Sequence, residues 1–139
     1  MTKLMIRSFL LVLPLWCCHQ ASAEVAVIVH PANAASVSDT DIKNFYLGRQ
    51  KTFANGETAV LLSLNEGHPS RSEFNTKALG KSDAQLKAFW SKVLFTGKGT
   101  PPKDVSDAEM VKLIGNNPNM IGFVDAANVD SSVKVVAKY

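Results

Sequence analysis

Ala59-Val60-Leu61-Leu62, running through Ser63-Leu64-Asn65-Glu66-Gly67-His68-Pro69 into Ser70-Arg71-Ser72-Glu73-Phe74, reads as a strand, a tight turn and the start of a helix. A joint of this kind gathers the unpaired N–H groups of a helix's first turn, with their partial positive charge, at one point in space. It is a ready place for a small anion, although such joints are far commoner than ligands. Gly67, His68, Ser70 and Arg71 are the candidate ligand-binding residues of the stretch.

Elements of both kinds flank this joint. Val25-Ala26-Val27-Ile28-Val29 lacks polar alternation and predicts a central strand covered on both faces, ended by His30-Pro31. Ser38-Asp39-Thr40-Asp41 supplies an N-cap and an acidic first turn for a helix bearing Ile42, Phe45 and Tyr46 on one face. Arg49 to Gly56 is a basic, solvated loop. Beyond the joint, Phe74, Ala78 and Leu79 share a helix face. Ser82 and Gln85 form a capping box, opening a helix whose stripe of Leu86, Phe89, Trp90, Val93 and Leu94 predicts core. Gly97-Lys98-Gly99-Thr100 is not a P-loop, because Lys92 stands where the required first glycine would be. Pro101-Pro102 marks an extended connection, Ser106 and Glu109 a second capping box, and Met110, Val111, Leu113 and Ile114 the apolar face that follows. Met120 to Val124 and Val133 to Val136 read as the last two strands, with Gly122 where something approaches closely. Strands alternating with helices predict one α/β domain, three-layered around a short, mostly parallel sheet.

The chain opens with Lys3 and Arg7, an apolar run from Ser8 to Cys18, and Ala21-Ser22-Ala23. These are the three parts of a secretory signal peptide, residues 1–23, with an apolar run well short of the roughly 20 residues that span a bilayer. A lipoprotein signal acylated at Cys17 or Cys18 fits less well, because bulky Trp16 stands where small residues normally precede such a cysteine. Cleavage leaves a domain over residues 24–139, exported to the periplasm and not inserted in the membrane. Both cysteines go with the leader, leaving no disulfide, thiolate metal site or cysteine nucleophile. Loss of Lys3 and Arg7 takes two units from a formal charge of +3, so bulk charge gives no argument for nucleic acid or an acidic membrane.

Val29-His30-Pro31-Ala32-Asn33, followed by Ile42-Lys43-Asn44-Phe45-Tyr46-Leu47-Gly48-Arg49, resembles the phosphate-type periplasmic substrate-binding proteins of ABC transporters. Phe89-Trp90, Phe95-Thr96-Gly97-Lys98-Gly99, Pro101-Pro102 and Asn117-Pro118-Asn119-Met120-Ile121-Gly122-Phe123-Val124 continue the resemblance in the family's order. It implies one lobe of a type II periplasmic binding protein, where full members have two lobes with the ligand between them. It also implies a phosphate or other oxyanion ligand and an ABC transporter permease or envelope protein as partner. The opening stretch departs from the family's pattern. Where the family places an arginine and then a Ser-Gly-Thr triplet, this chain has Leu64 and then His68, Pro69 and Ser70. Proline has no N–H to give a phosphate, Leu64 removes a charge-assisted pair, and Glu66 repels a dianion, leaving Ser70 and Arg71 as the anion contacts.

The expected function is therefore a small periplasmic substrate-binding-like protein, a weak binder of phosphate or another oxyanion, with no catalysis and no cofactor of its own. The alternative is an interaction module whose free face pairs with a second copy, as a homodimer, or with another envelope protein. An enzyme reading of Ser70 beside His68 lacks an evident acid to orient the histidine and a Gly-x-Ser-x-Gly turn. His30 and His68, the histidines left after cleavage, are too few for a transition-metal centre.

Overall fold

The computed structural model describes residues 24–139; the signal peptide expected over residues 1–23 lies outside the described residues. In chain order the elements are β1 (Val25–Val29), α1 (Asp39–Tyr46), β2 (Val60–Leu64), α2 (Pro69–Leu79), α3 (Asp83–Phe95), β3 (Lys103–Val105), α4 (Asp107–Asn116), β4 (Met120–Asp125) and β5 (Lys134–Lys138). They build one five-stranded sheet in the order β3-β2-β4-β1-β5. β2 runs parallel to both β3 and β4, whereas β1 is antiparallel to β4 and to β5. All strands but β1 therefore point the same way, so the α/β sheet is mostly parallel in direction.

β1 is fully buried along its whole length, as its unbroken apolar sequence predicts. Its antiparallel pairing shows that two covered faces, not strand direction, call for such a run. The covering layers are read from two adjacent residues of β4, which point to opposite faces of the sheet. Phe123 meets Phe74 of α2 and Tyr46 of α1 on one face. Gly122 lies beneath Met110 and Ile114 of α4 on the other. The result is the expected helix-sheet-helix sandwich. Among the described residues, no helix is long and apolar enough to cross a membrane.

Local chemistry sets the helix starts. Ser38, Ser82 and Ser106 each accept a hydrogen bond from the backbone three residues on, and Asp41, Gln85 and Glu109 reach back to close three capping boxes. Hydrogen bonds from the Ser38 backbone and hydroxyl hold the Asp41 carboxyl below the usual aspartate range. A carboxyl depressed in the folded state stabilises the fold above its unfolded value, and that stabilisation is lost as pH falls through the folded value. The stability difference between the protein and Asp41→Asn is thus expected in full above about pH 4 and to vanish in stronger acid, measured by urea unfolding across pH. A constant difference down to pH 2 would contradict this account of the cap.

Two expectations are corrected. The segment after Pro101-Pro102 does not merely connect; it adds the three-residue edge strand β3 beside β2. The α3 stripe is core only in part. Leu86 and Trp90 are buried and Phe89 and Val93 half-buried, but Leu94 is 53 % exposed and Phe95 more so. The helix packs on α2 at the margin of the domain, and its last turn runs past the core. Asn33, from the Val-x-Pro-x-Asn segment, is structural. It is buried, accepts from the Ala35 amide and donates to the Pro118 carbonyl, pinning the loop after β1 to the turn before β4.

Candidate functional site

β2 leaves the sheet at Leu64, and Asn65 donates its amide to the Val105 carbonyl at the end of β3, so the turn starts from two strands tied together. Gly67 follows with φ of 85°, a left-handed conformation that glycine adopts without cost. His68 is then the N-cap of α2. Its Nδ1 accepts the Ser70 amide at 3.1 Å, and Pro69 occupies the first turn, where a missing N–H goes unnoticed.

The acceptor role of Nδ1 places the proton of the neutral ring on Nε2, which lies 2.8 Å from Asp107 Oδ2 at the start of α4. An acid does orient His68, contrary to the sequence reading. It serves a cap, because the histidine binds the backbone amide of Ser70, and Ser70 itself is almost fully buried. The Ser70 amide expected to meet an anion is already bound within the chain.

Arg71 is engaged as well. Its Nη1 donates to the Leu64 carbonyl at 2.9 Å and lies 3.1 Å from Asp104 Oδ1 on β3. The residue at the family's arginine position thus gives its carbonyl to Arg71. Across α2, both carboxylate oxygens of Asp83 are taken, one by the Ser72 hydroxyl at 2.5 Å and the other by Asn75 Nδ2 at 2.8 Å. This clamp joins α2 to the first turn of α3. Glu66 pairs with Lys87 at 3.0 Å in the open.

These groups surround a cavity of about 240 Å³ between α2, α3 and the approach to β3. Its polar side carries Ser63, Arg71, Asn75, Asp83 and Asp104; Leu86, Trp90, Leu94, Pro101 and Pro102 form its apolar side, with Glu66 and Lys87 also on its lining. Two cations face three carboxylates there, a formal charge of −1. Of the four residues named from sequence, Arg71 alone is among those lining this cavity, although all four sit within one turn of chain. Tyr46 also borders it, its hydroxyl held by the Leu62 carbonyl at 2.8 Å, and burial pushes that phenol well above its ordinary pKa.

Sequence reasoning missed Asn75, Asp83, Trp90 and Asp104 as site residues. Asn75 was within reach, four residues after Arg71 and so on the same helix face. Asp83 entered only as a residue inside the Ser82–Gln85 capping box, and Trp90 was read as core. Asp104 had no local signal, because it enters through the pairing of β3 with β2.

No protein-family model and no curated protein matches the chain. Solved structures do. An ABC-type phosphate transport receptor from Vibrio cholerae superposes with a TM-score of 0.64 at 19 % identity, over 82 % of this chain and 46 % of that one. A protein described as a phosphate ABC transporter substrate-binding protein from Clostridium perfringens, solved with bound phosphate, gives 0.62 at 22 %, over 82 % and 45 %. PstS from Borrelia burgdorferi gives 0.57 at 10 %, over 83 % and 47 %. The chain spans about half the length of these proteins. In fold, it is a single periplasmic-binding-protein-like lobe, similar to part of the phosphate receptors of ABC transporters.

Proposed function

We propose that the protein is a substrate-binding-like lobe, exported by its first 23 residues, that captures a small solute in the cavity beside Arg71 and binds phosphate only weakly. The fold supports solute capture, and an ABC transporter is the partner that such a protein would serve. One observation carries the weakness toward phosphate: Arg71 reaches the cavity already paired with Asp104 and the Leu64 carbonyl. A phosphate there must break or share that pair, against a lining with one excess negative charge. Nor do the Ser70 amide and the His68 ring stand open to receive it.

Calorimetry with inorganic phosphate tests this directly, with binding expected in the millimolar range or weaker. Asp104→Asn removes the competing carboxylate while keeping its shape, on a half-exposed side chain that the fold can spare. Since a hydrogen bond to a charged group contributes about 1.5–3 kcal/mol, phosphate affinity in Asp104→Asn should rise by about tenfold or more. Micromolar affinity in the unaltered protein, or no gain in a folded Asp104→Asn variant, would remove the proposed role of the Arg71–Asp104 pair.

A further inference from the structure

His68 can cap α2 in only one of its two charge states. As a neutral ring it makes two different bonds at once: Nδ1 accepts the Ser70 amide at 3.1 Å, and Nε2–H donates to Asp107 Oδ2 at 2.8 Å. The imidazolium carries a proton on each nitrogen and accepts nothing, so a second proton must go to Nδ1, the atom that holds Ser70. The serine hydroxyls that cap α1, α3 and α4 have no such second state. Once released, the Ser70 amide finds no acceptor inside its own helix, because it belongs to the first turn. Ser70 is also only 2 % exposed, so water replaces the ring only if the turn moves.

We propose that His68 is an acid-sensitive latch on the start of α2: protonation at Nδ1 releases the Ser70 amide, frays the first turn and loosens Arg71 beside it. The charges around the ring decide which of its two bonds yields. From α4, Asp107 gains a charged partner; its Oδ1 is buried without a hydrogen-bond partner among the described residues, and its Oδ2 takes the ring. A charge-assisted hydrogen bond is roughly twice as strong as a neutral one, so the imidazolium stays on Asp107 and lets go of Ser70. An imidazolium at the N-cap also sets a cation at the positive end of α2. Of the other charges nearby, Glu66 of the same turn pairs with Lys87 of α3, and Arg71 with Asp104 of β3. Lys112 and Asp130, which line a cavity together with Asp107, offset one another. Release reaches Arg71 through the backbone. The Arg71 and Ser72 amides both donate to the His68 carbonyl, and the Arg71 side chain grips the Leu64 carbonyl at the other end of the turn. Between them Gly67 has open space around it, with nothing within 4 Å of where a Cβ would stand, so the turn has room to move. The latch does not depend on which solute the cavity beside Arg71 takes.

Nuclear magnetic resonance of the isotope-labelled full chain between about pH 8 and about pH 5 tests the latch, with protonation of His68 read on its own ring nitrogens. Hydrogen-exchange protection of the Ser70 amide, corrected for the intrinsic exchange rate at each pH, should fall about tenfold on the acid side relative to β1 and β4, the order of effect of a lost N-cap. The Arg71 Nε–H signal should move with the same midpoint as the His68 ring. His68→Asn keeps a capping side chain that does not titrate, so in that variant both changes should vanish while the start of α2 stays protected. The latch is overturned by a His68 ring that takes up no second proton in this range while the protein stays folded, or by Ser70 protection that holds level as the ring protonates. A fall in protection that persists in His68→Asn, or an Arg71 signal that ignores the release of Ser70, overturns it equally.

Discussion

Gly122→Val should destabilise the domain by about 3 kcal/mol or more, seen as a large fall in the midpoint of urea unfolding or as failure to fold. The cause is space and not backbone conformation, because Gly122 is not among the glycines with positive φ. It lies in β4, opposite Ile28 of the fully buried β1, and a Cβ there would overlap Met110 Sδ and come within 3.0 Å of Ile114 Cδ1. Both of those side chains are fully buried, so neither can swing into solvent. Alanine asks for one methyl group and should cost about 1–3 kcal/mol; valine adds two more on a stiff χ1. Combining Gly122→Ala with Met110→Ala isolates the contact, because shortening Met110 creates the room that the new methyl needs. The pair should cost clearly less than the two single substitutions summed. Additive costs, or a Gly122→Ala protein within about 0.5 kcal/mol of the parent, would show that α4 does not sit on β4 as closely as described.

Gly122 illustrates what the sequence could and could not disclose. A glycine within an apolar strand announces close approach, and the approaching group proved to be a methionine of the chain itself and not a ligand. The three capping serines were legible because each cap is closed by chemistry within three residues. β1 was legible because a strand covered on both faces must be apolar throughout. Failures came where the deciding partner is distant. His68 and Asp107 lie 39 residues apart, and nothing beside His68 in the chain foretells an acid. β3 is three residues long with two of them exposed, so it carries no period to read, yet it delivers the carboxylate that holds Arg71. Leu94 fits the apolar spacing of α3 but lies beyond the surface that the core can cover. The helix start that carries the candidate residues was thus legible, but not the partners they take within the chain: the Ser70 amide, the His68 ring and Arg71 Nη1 are each engaged.

Phe74→Ala is expected to cost about 3–5 kcal/mol, as truncation of a fully buried aromatic ring leaves a cavity that its neighbours fill only in part. Phe74 is the junction of the aromatic cluster on one face of the sheet. It stacks on Phe123 with centroids 4.0 Å apart and planes 10° from parallel, and it meets Tyr46 edge-on at 4.8 Å and Tyr139 at 6.1 Å. Phe74→Leu keeps most of the volume and should cost far less, about 1.5 kcal/mol. The consequence reaches the cavity because α2 serves both sides at once. Phe74 and Leu79 hold it to the core, while Arg71 and Asn75, one turn apart, face the cavity. Without its aromatic anchor the helix can shift on the sheet, and the Arg71–Asp104 pair and the Asp83 clamp shift with it. Amide hydrogen exchange separates this from a merely global loss. In Phe74→Ala, protection across α2 should fall further than the overall stability loss accounts for, while β1 and β4 follow global unfolding. Uniform loss across all the elements would mean that α2 is held by the sheet as a whole, and that Phe74 has no special part in positioning Arg71.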